Sequence, residues 1–197
     1  MAQALIPGRS LIVLDRDGVL NELVVDPEHG TIDSPLHPDQ VTVPAFVPRA
    51  LLSLTTLGFS VVVVTNQPAA AKGKATRDNL LRTHERVLRE ASALGGRIAA
   101  SFVCWHRAED GCGCRKPKPG LIQEAFALLP AHAPSDSVMI GDGISDIEAG
   151  QSLAMKTVLI GPRKLEHASV FMARGVMPAL VVSDLLAWVE TIRASES

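Results

Sequence analysis

The sequence predicts an α/β protein, a doubly wound three-layer sandwich with a central parallel sheet. Strand and helix signals alternate along most of the 197 residues, and this alternation is typical of parallel strands with helices on both faces. The predicted strands are β-branched runs without polar alternation, as a sheet covered on both sides requires. A chain of this length can bury a full core, so we expect one domain over residues 1–197.

Six short apolar segments carry the strand signal. An irregular segment rich in Pro, Asp and His follows the first of them, at about residues 22–44. We call this segment the flap, because its position after the first strand predicts a loop that overhangs the site. The predicted strands cover residues 11–15, 60–65, 99–104, 138–141, 157–160 and 180–182.

Six further segments are predicted to be helices. In the second, apolar residues recur with helical period, and Thr76 is a suitable N-cap. In the fourth, Ser145 and Glu148 have the spacing of a capping box. The predicted helices cover residues 48–57, 77–94, 119–129, 146–154, 164–173 and 184–194.

The composition excludes several classes of protein. A net charge of −2 does not favour binding to nucleic acid or to an anionic membrane. A hydrophobic content of 47% argues against disorder, and apolar runs such as residues 61–64 are too short to span a bilayer. The segment Met1–Ser10 lacks a basic start and an apolar core, so we expect no signal peptide. We expect a cytoplasmic enzyme or binding domain, and a monomer, although no sequence feature determines the oligomeric state.

The most informative motif lies at the end of the first predicted strand, where Asp15 and Asp17 are followed by Gly18. Residues i and i+2 of a strand point to the same side, and the carboxyl ends of strands face the ligand crevice of open α/β sheets. Two buried carboxylates without a cation are costly. The pair therefore predicts a metal ion, a proton or both, and the alternative is a solvated turn with two ordinary aspartates.

Two further motifs fall at predicted strand ends. The second strand runs into Thr65-Asn66-Gln67, where a hydroxyl and a backbone N–H could bind a phosphoryl oxygen, although such a tripeptide is often only a turn. The cations of Arg115-Lys116-Pro117-Lys118 precede a predicted helix N-terminus, which favours an anion site. Its alternative is a solvated basic loop.

The fourth predicted strand, like the first, ends at a glycine and acidic residues. It ends in Gly141 and Asp142, and Asp146 follows four residues later. If the two strands are neighbours, the carboxylate of Asp142 can meet those of Asp15 and Asp17 across the crevice.

These four elements in this order resemble the haloacid dehalogenase superfamily of phosphotransferases, from Leu11 to about Ile160. The resemblance implies a sandwich fold with a minimal cap and hydrolysis of phosphomonoesters. Asp15 would be the nucleophile that forms an aspartyl-phosphate. Asp17 would protonate the leaving group and then activate water. Thr65 would hold a phosphoryl oxygen, and Lys116 would offset negative charge.

The resemblance also implies a magnesium site. Mg²⁺ would be bound by the Asp15 carboxylate, the Asp17 backbone carbonyl and the Asp142 carboxylate, since this ion prefers oxygen ligands. Asp146 would orient Lys116 or a metal-bound water.

A second metal signal lies in the loop at residues 104–114. All three cysteines of the chain fall there together with one histidine, and a Cys₃His set is typical of a structural zinc site without an open position. A disulfide is disfavoured in the cytosol and would leave one cysteine unpaired. Zinc would fix the loop that delivers Arg115 and Lys116. The expected zinc ligands are Cys104, His106, Cys112 and Cys114.

The Cys-x-His and Cys-x-Cys-Arg-Lys-Pro elements resemble two phosphatase groups of the superfamily, one acting on heptose 1,7-bisphosphates and the other on histidinol phosphate. This chain departs from them at residues 68–73, at Trp105 and in having no tyrosine. We expect the 7-phosphate of a heptose bisphosphate to be removed, because the cations outnumber those that one phosphate requires. Histidinol phosphate is the alternative, since flap carboxylates could bind its amine. The expected substrate contacts are Asn66, Arg115, Lys118 and Lys72, with Lys74 as a further candidate.

Two other functional interpretations of the same motifs are less well supported by the sequence. A catalytically silent, zinc-stabilised binding domain would share the fold, but the complete set of catalytic residue types argues against it. A DNA-end phosphatase would share the first two motifs, but 4% aromatic residues and a negative net charge do not suit nucleic acid. We therefore expect a small phosphorylated metabolite as the partner, with neither nucleic acid nor membrane.

Overall fold

A six-stranded parallel sheet forms the centre of the molecule. The structure is a computed structural model that describes residues 5, 7–26, 30–161 and 165–195, and the statements below concern these residues. Along the chain the strands are β1 (Leu11–Leu14), β2 (Val24–Asp26), β3 (Thr31–Asp33), β4 (Ser60–Asn66), β5 (Ala100–Cys104), β6 (Val138–Gly141), β7 (Lys156–Ile160) and β8 (Leu180–Val182). The order across the large sheet is β5-β4-β1-β6-β7-β8, which confirms the predicted doubly wound class.

The six predicted helices are present, with shifted ends. They are α1 (Phe46–Thr56), α2 (Arg77–Ala91), α3 (Gly120–Leu128), α4 (Ile144–Gln151), α5 (Leu165–Ala173) and α6 (Leu185–Ser195). The Thr76 cap is confirmed, since its hydroxyl accepts a hydrogen bond from the Asn79 backbone N–H at 3.2 Å. The prediction of a capping box formed by Ser145 and Glu148 is wrong. Helix α4 begins earlier than predicted, so its N-cap is Gly143.

Strand β1 has no exposed face. Its four residues are fully buried, with Leu11 and Val13 in a core cluster that includes α3 side chains. Ile12 and Leu14 belong to a second cluster that includes α1 and α6 side chains. A fully buried aliphatic side chain stabilises the fold by about 1.5–3 kcal/mol. The strand that leads to the aspartate pair is therefore firmly held by helices on both faces.

The flap is partly regular, which its composition did not predict. Strands β2 and β3 pair antiparallel within it, with Val25 opposite Ile32. Residues 27–29 between these strands lie outside the described residues. So do residues 1–4 and 6 of the segment inspected for a signal peptide, and the first residue of the predicted helix 164–173. In the described part of the chain, no helix has the length and apolar character needed to cross a bilayer.

Candidate active site

The topology brings the predicted strand-end residues to one edge of the sheet. Strands β4 and β6 flank β1 in parallel, and the backbone N–H of Asp15 donates to the Ile140 carbonyl at 2.9 Å. The segments after β1, β4 and β6 therefore leave the sheet side by side. The structure thus places the two acidic motifs next to one another, as the sequence predicts for neighbouring strands.

Lys116 lies at the centre of this edge. Its ammonium nitrogen Nζ is 2.8 Å from Asp15 Oδ1 and 2.6 Å from Asp146 Oδ1, and it donates to the Val64 carbonyl at 2.9 Å. Only 2% of the lysine side chain is exposed. Asp146 therefore contacts Lys116, and its role in orienting this lysine stays a prediction.

The side chain of Asn66 forms two hydrogen bonds with the backbone of Lys116. Its Nδ2 donates to the Lys116 carbonyl, and its Oδ1 accepts from the Lys116 N–H, both at 3.1 Å. This two-way contact ties the loop that carries Lys116 to the end of β4. The prediction that Asn66 contacts substrate stays a prediction, while its observed contacts are with the protein.

Negative charge exceeds positive charge in this cluster. Burial raises the pKa of Asp15 to about 8, with the Asp146, Asp17 and Asp142 carboxylates adding to the shift and Lys116 opposing it. Burial and the charge of Asp146 also raise the pKa of Asp142 to about 6. Ionised carboxylates here at neutral pH therefore require additional positive charge.

Lys116 stays cationic in this setting. Burial alone would lower its pKa, but the carboxylates of Asp146 and Asp15 outweigh burial and raise the pKa. Carboxylate oxygens of Asp15, Asp142 and Asp146 lie within 4.8 Å of one another, close enough to share a metal ion. Such an oxygen cluster suits a hard divalent cation.

A glycine makes room for Asp142. Gly18 has a φ of +77°, a conformation that favours glycine. A β-carbon at this position would overlap the Asp142 carboxylate. The glycine that follows the aspartate pair is therefore needed for the acidic cluster to form.

Asp17 is held by a separate set of donors. Its carboxylate accepts hydrogen bonds from Arg16, Asn21, Ser34 and Gln67. Burial would raise its pKa, but the Arg16 charge and the hydrogen bonds lower it. Sequence reasoning missed all four partners. An arginine between two aspartates and the last residue of Thr65-Asn66-Gln67 were the available signals.

The four predicted zinc ligands form one cluster. Pairs of ligand atoms among Cys104, His106, Cys112 and Cys114 are separated by 3.3–3.7 Å. Burial and the neighbouring sulfurs raise the pKa of Cys114 to about 12, and burial raises the pKa of Cys104, so the thiolate forms of these two residues require a cation here. A tetrahedral zinc with ~2.3 Å bonds places its sulfur ligands about 3.8 Å apart. The donor set and its size therefore fit this ion.

The other predicted cations separate into two places. Arg115 and Lys118 line a cavity of about 160 Å³ together with Arg107 and Lys116. Lys118 also donates to the carbonyls of Gly111 and Cys112, both at 2.8 Å, so its ammonium group braces the loop.

Lys72 and Lys74 line a different, narrow cleft beside the flap. Lys74 forms an ion pair with Asp33 in the flap, with an N–O distance of 2.5 Å. The structure thus gathers Arg115 and Lys118 with Lys116 but does not bring Lys72 into that cavity. Whether any of these cations contacts substrate stays a prediction.

The chain is similar in sequence to known phosphatases. Residues 113–187 match the HAD-hydrolase-like family. A D-glycero-beta-D-manno-heptose-1,7-bisphosphate 7-phosphatase from Pseudomonas aeruginosa is 34% identical over 152 residues, which cover 77% of this chain and 81% of that protein. The chain belongs to the haloacid dehalogenase superfamily. The corresponding phosphatase from Bordetella bronchiseptica is 30% identical over 187 residues, covering 92% of this chain and 97% of that protein.

A solved structure extends this likeness to the whole fold. The crystal structure of D,D-heptose 1,7-bisphosphate phosphatase from B. bronchiseptica, complexed with magnesium and phosphate, superposes with a TM-score of 0.78 at 28% identity. The match covers 94% of this chain and 99% of that chain. This haloacid dehalogenase protein is therefore a phosphatase, as the four motifs indicated.

Gly18→Ala should reduce phosphatase activity at least about tenfold, because the added methyl group displaces the Asp142 carboxylate. The matched control is Gly175→Ala. Gly175 has a φ of +65° with open space at the β-carbon position, so this variant carries the backbone strain of about 1–2 kcal/mol alone. The melting temperature should fall at least as far for Gly18→Ala as for Gly175→Ala, while only Gly18→Ala loses turnover. Equal activities for the two variants would contradict the crowding argument.

Proposed function

We propose that this phosphatase depends on Mg²⁺ and removes the 7-phosphate of a heptose 1,7-bisphosphate through an aspartyl-phosphate on Asp15. The observation that carries the proposal is the pairing of Asp15 with a buried, cationic Lys116 beside a further carboxylate, Asp142. A carboxylate attacks a phosphoryl group well when fixed positive charge neutralises the oxygens of the transition state.

In the first step, an oxygen of Asp15 forms a bond to phosphorus while the bond to the sugar oxygen breaks. Lys116 stays protonated and balances charge on both partners. Asp17 delivers a proton to the departing sugar oxygen. Thr65 Oγ1 already accepts a hydrogen bond from Gln67 Nε2 at 2.9 Å, so the hydroxyl proton is available to donate to a phosphoryl oxygen.

In the second step, Asp17 accepts a proton from water. The resulting hydroxide attacks phosphorus, the bond to Asp15 breaks, and inorganic phosphate leaves. The carboxylates of Asp15 and Asp142 and the Asp17 carbonyl would hold Mg²⁺, with Asp146 committed to Lys116. When bound, the ion supplies the positive charge that this carboxylate cluster lacks.

We propose zinc as the structural ion of the loop at residues 104–114. Its four protein ligands would leave no position for a substrate or a catalytic water. Cys114 is two residues from Lys116 along the chain, so ligation would restrict the loop that positions the lysine. The role proposed for zinc is therefore stability and not chemistry.

The substrate proposal is supported by charge and by the names of the relatives. Arg107, Arg115 and Lys118 lie around the cavity that also contains Lys116, which suits a second phosphate away from the reacting one. Histidinol phosphate is the alternative substrate, although Asp33, one of the flap carboxylates that could bind its amine, is already paired with Lys74. A cytoplasmic location, a monomer and a single domain remain predictions from the sequence.

Asp15→Asn should lower turnover by at least about a thousandfold, because the amide keeps the shape but loses the nucleophilic charge. Release of inorganic phosphate from the bisphosphate measures this. Asp78→Asn, which alters an exposed surface carboxylate in α2, serves as the control and should remain fully active. Activity of Asp15→Asn within about tenfold of the parent would rule out the covalent route.

Chelation should distinguish the proposed magnesium site from the proposed zinc site. Mild chelation should abolish turnover reversibly, with Mg²⁺ restoring it, while zinc stays bound at about one ion per chain. Cys112→Ser should lower the melting temperature and the zinc content together, because ligation contributes folding free energy. Elemental analysis and thermal denaturation are the measurements, and an active protein that lacks zinc would exclude the assignment.

Arg115→Ala should raise KM for the bisphosphate about tenfold or more while changing KM for a simple monophosphate ester little, since only the bisphosphate has a second anionic group. Steady-state phosphate release on both substrates measures the split, with Arg82→Ala on the exposed face of α2 as the control. Equal losses on the two substrates would place Arg115 at the reacting phosphate.

A further inference from the structure

The flap reaches the candidate active site through Ser34. Its hydroxyl donates to Asp17 Oδ2 at 2.9 Å, although the flap lies outside the parallel sheet. Ser34 is half-buried and the next residue, Pro35, is buried. The contact is therefore made by a packed part of the flap.

The two oxygens of the Asp17 carboxylate are held differently. Oδ1 accepts from Arg16 Nη2 at 2.9 Å and from Asn21 Nδ2 at 3.0 Å, both in the segment directly after β1. Oδ2 accepts from Gln67 Nε2 at 2.6 Å and from Ser34, with Arg16 Nη2 at 3.1 Å. The orientation of Oδ2 thus depends partly on a residue of the flap.

Ser34 differs chemically from the other partners. The guanidinium of Arg16 and the amide nitrogens of Asn21 and Gln67 can only donate, whereas a hydroxyl can donate or accept. The proton that Asp17 delivers must face the substrate, and the Ser34 hydroxyl can rotate to donate or accept as the carboxyl group changes charge, whereas an N–H group can only donate. Among the described partners of Asp17, this side chain suits both states of a group that gives and takes a proton in each cycle.

We propose that Ser34 is a positioning residue for Asp17, and that its hydroxyl holds the carboxyl group in place before and after each proton transfer. This inference rests on the acid and base roles proposed for Asp17. It assigns to the flap a part in proton transfer in addition to covering the site.

Local contacts keep Ser34 in register with Asp17. The Ser34 N–H donates to Asp33 Oδ1 at 2.9 Å, and Asp33 is also paired with Lys74 after β4. Three residues beyond Ser34, the His37 ring lies 3.1 Å from Asn79 Nδ2 of α2. The flap is therefore attached to the body of the protein on both sides of the serine.

The test compares two leaving groups. A sugar phosphate releases a poorly stabilised alkoxide and needs a proton, whereas p-nitrophenyl phosphate releases a stabilised phenolate and needs little assistance. Ser34→Ala should lower kcat/KM about tenfold on the sugar phosphate and no more than about twofold on p-nitrophenyl phosphate. Ser34→Thr, which keeps the hydroxyl, should retain the parent ratio of the two values.

Two further variants make the outcome decisive. Asn79→Ala removes one attachment of the flap but leaves Ser34 and its contact with Asp33 in place, so the ratio should change less than in Ser34→Ala. Asp17→Asn should change it more than Ser34→Ala does, and an unchanged ratio there would refute the acid role of Asp17 itself. The positioning role of Ser34 is wrong if Asp17→Asn changes the ratio of the two kcat/KM values and Ser34→Ala does not. It is also wrong if Ser34→Thr changes the ratio as much as Ser34→Ala does.

Discussion

The ion pairs of Lys116 are the interaction on which the rest of the site depends. Carboxylates that follow two adjacent strands would repel one another, and one buried ammonium between Asp15 and Asp146 offsets part of this repulsion. A buried charge is costly unless it is paired and hydrogen-bonded. Here the two carboxylates pair with the ammonium group, and the Val64 carbonyl accepts a hydrogen bond from it. The Asp15 carboxylate, the proposed nucleophile, is therefore oriented before any substrate arrives.

The loop that carries Lys116 is attached to the sheet at several points. Asn66 lies opposite Cys104 in the register of β4 and β5, and the Gln67 N–H donates to the Cys104 carbonyl at 2.7 Å. The same two residues of the chain, Asn66 and Gln67, also contact Lys116 and Asp17. The end of β4 thus connects the sulfur cluster, the lysine and the proposed proton donor.

The sequence was sufficient for the sheet, because strands buried on both faces must be apolar throughout and end where polar residues begin. It was also sufficient to place Asp15 and Asp142 together, since parallel strand ends share one edge, whereas the pairing of Lys116 with Asp15 was implied by the resemblance to a known superfamily. It could not predict the β2–β3 hairpin, which exposes Val25 and Ile32 and has no buried face to impose a pattern. Nor could it predict the partners of Asp17 or the carbonyl contacts of Lys118, because these depend on side-chain directions in irregular loops.

The glycines beside the acidic cluster have a consequence for inherited variation. A β-carbon on Gly141 would overlap the Asp146 side chain, and one on Gly18 would overlap Asp142. Every other amino acid carries that carbon, so each missense change in either codon shifts a carboxylate of the cluster. Very few missense changes should therefore be tolerated at codons 18 and 141, although neither glycine has a functional group of its own.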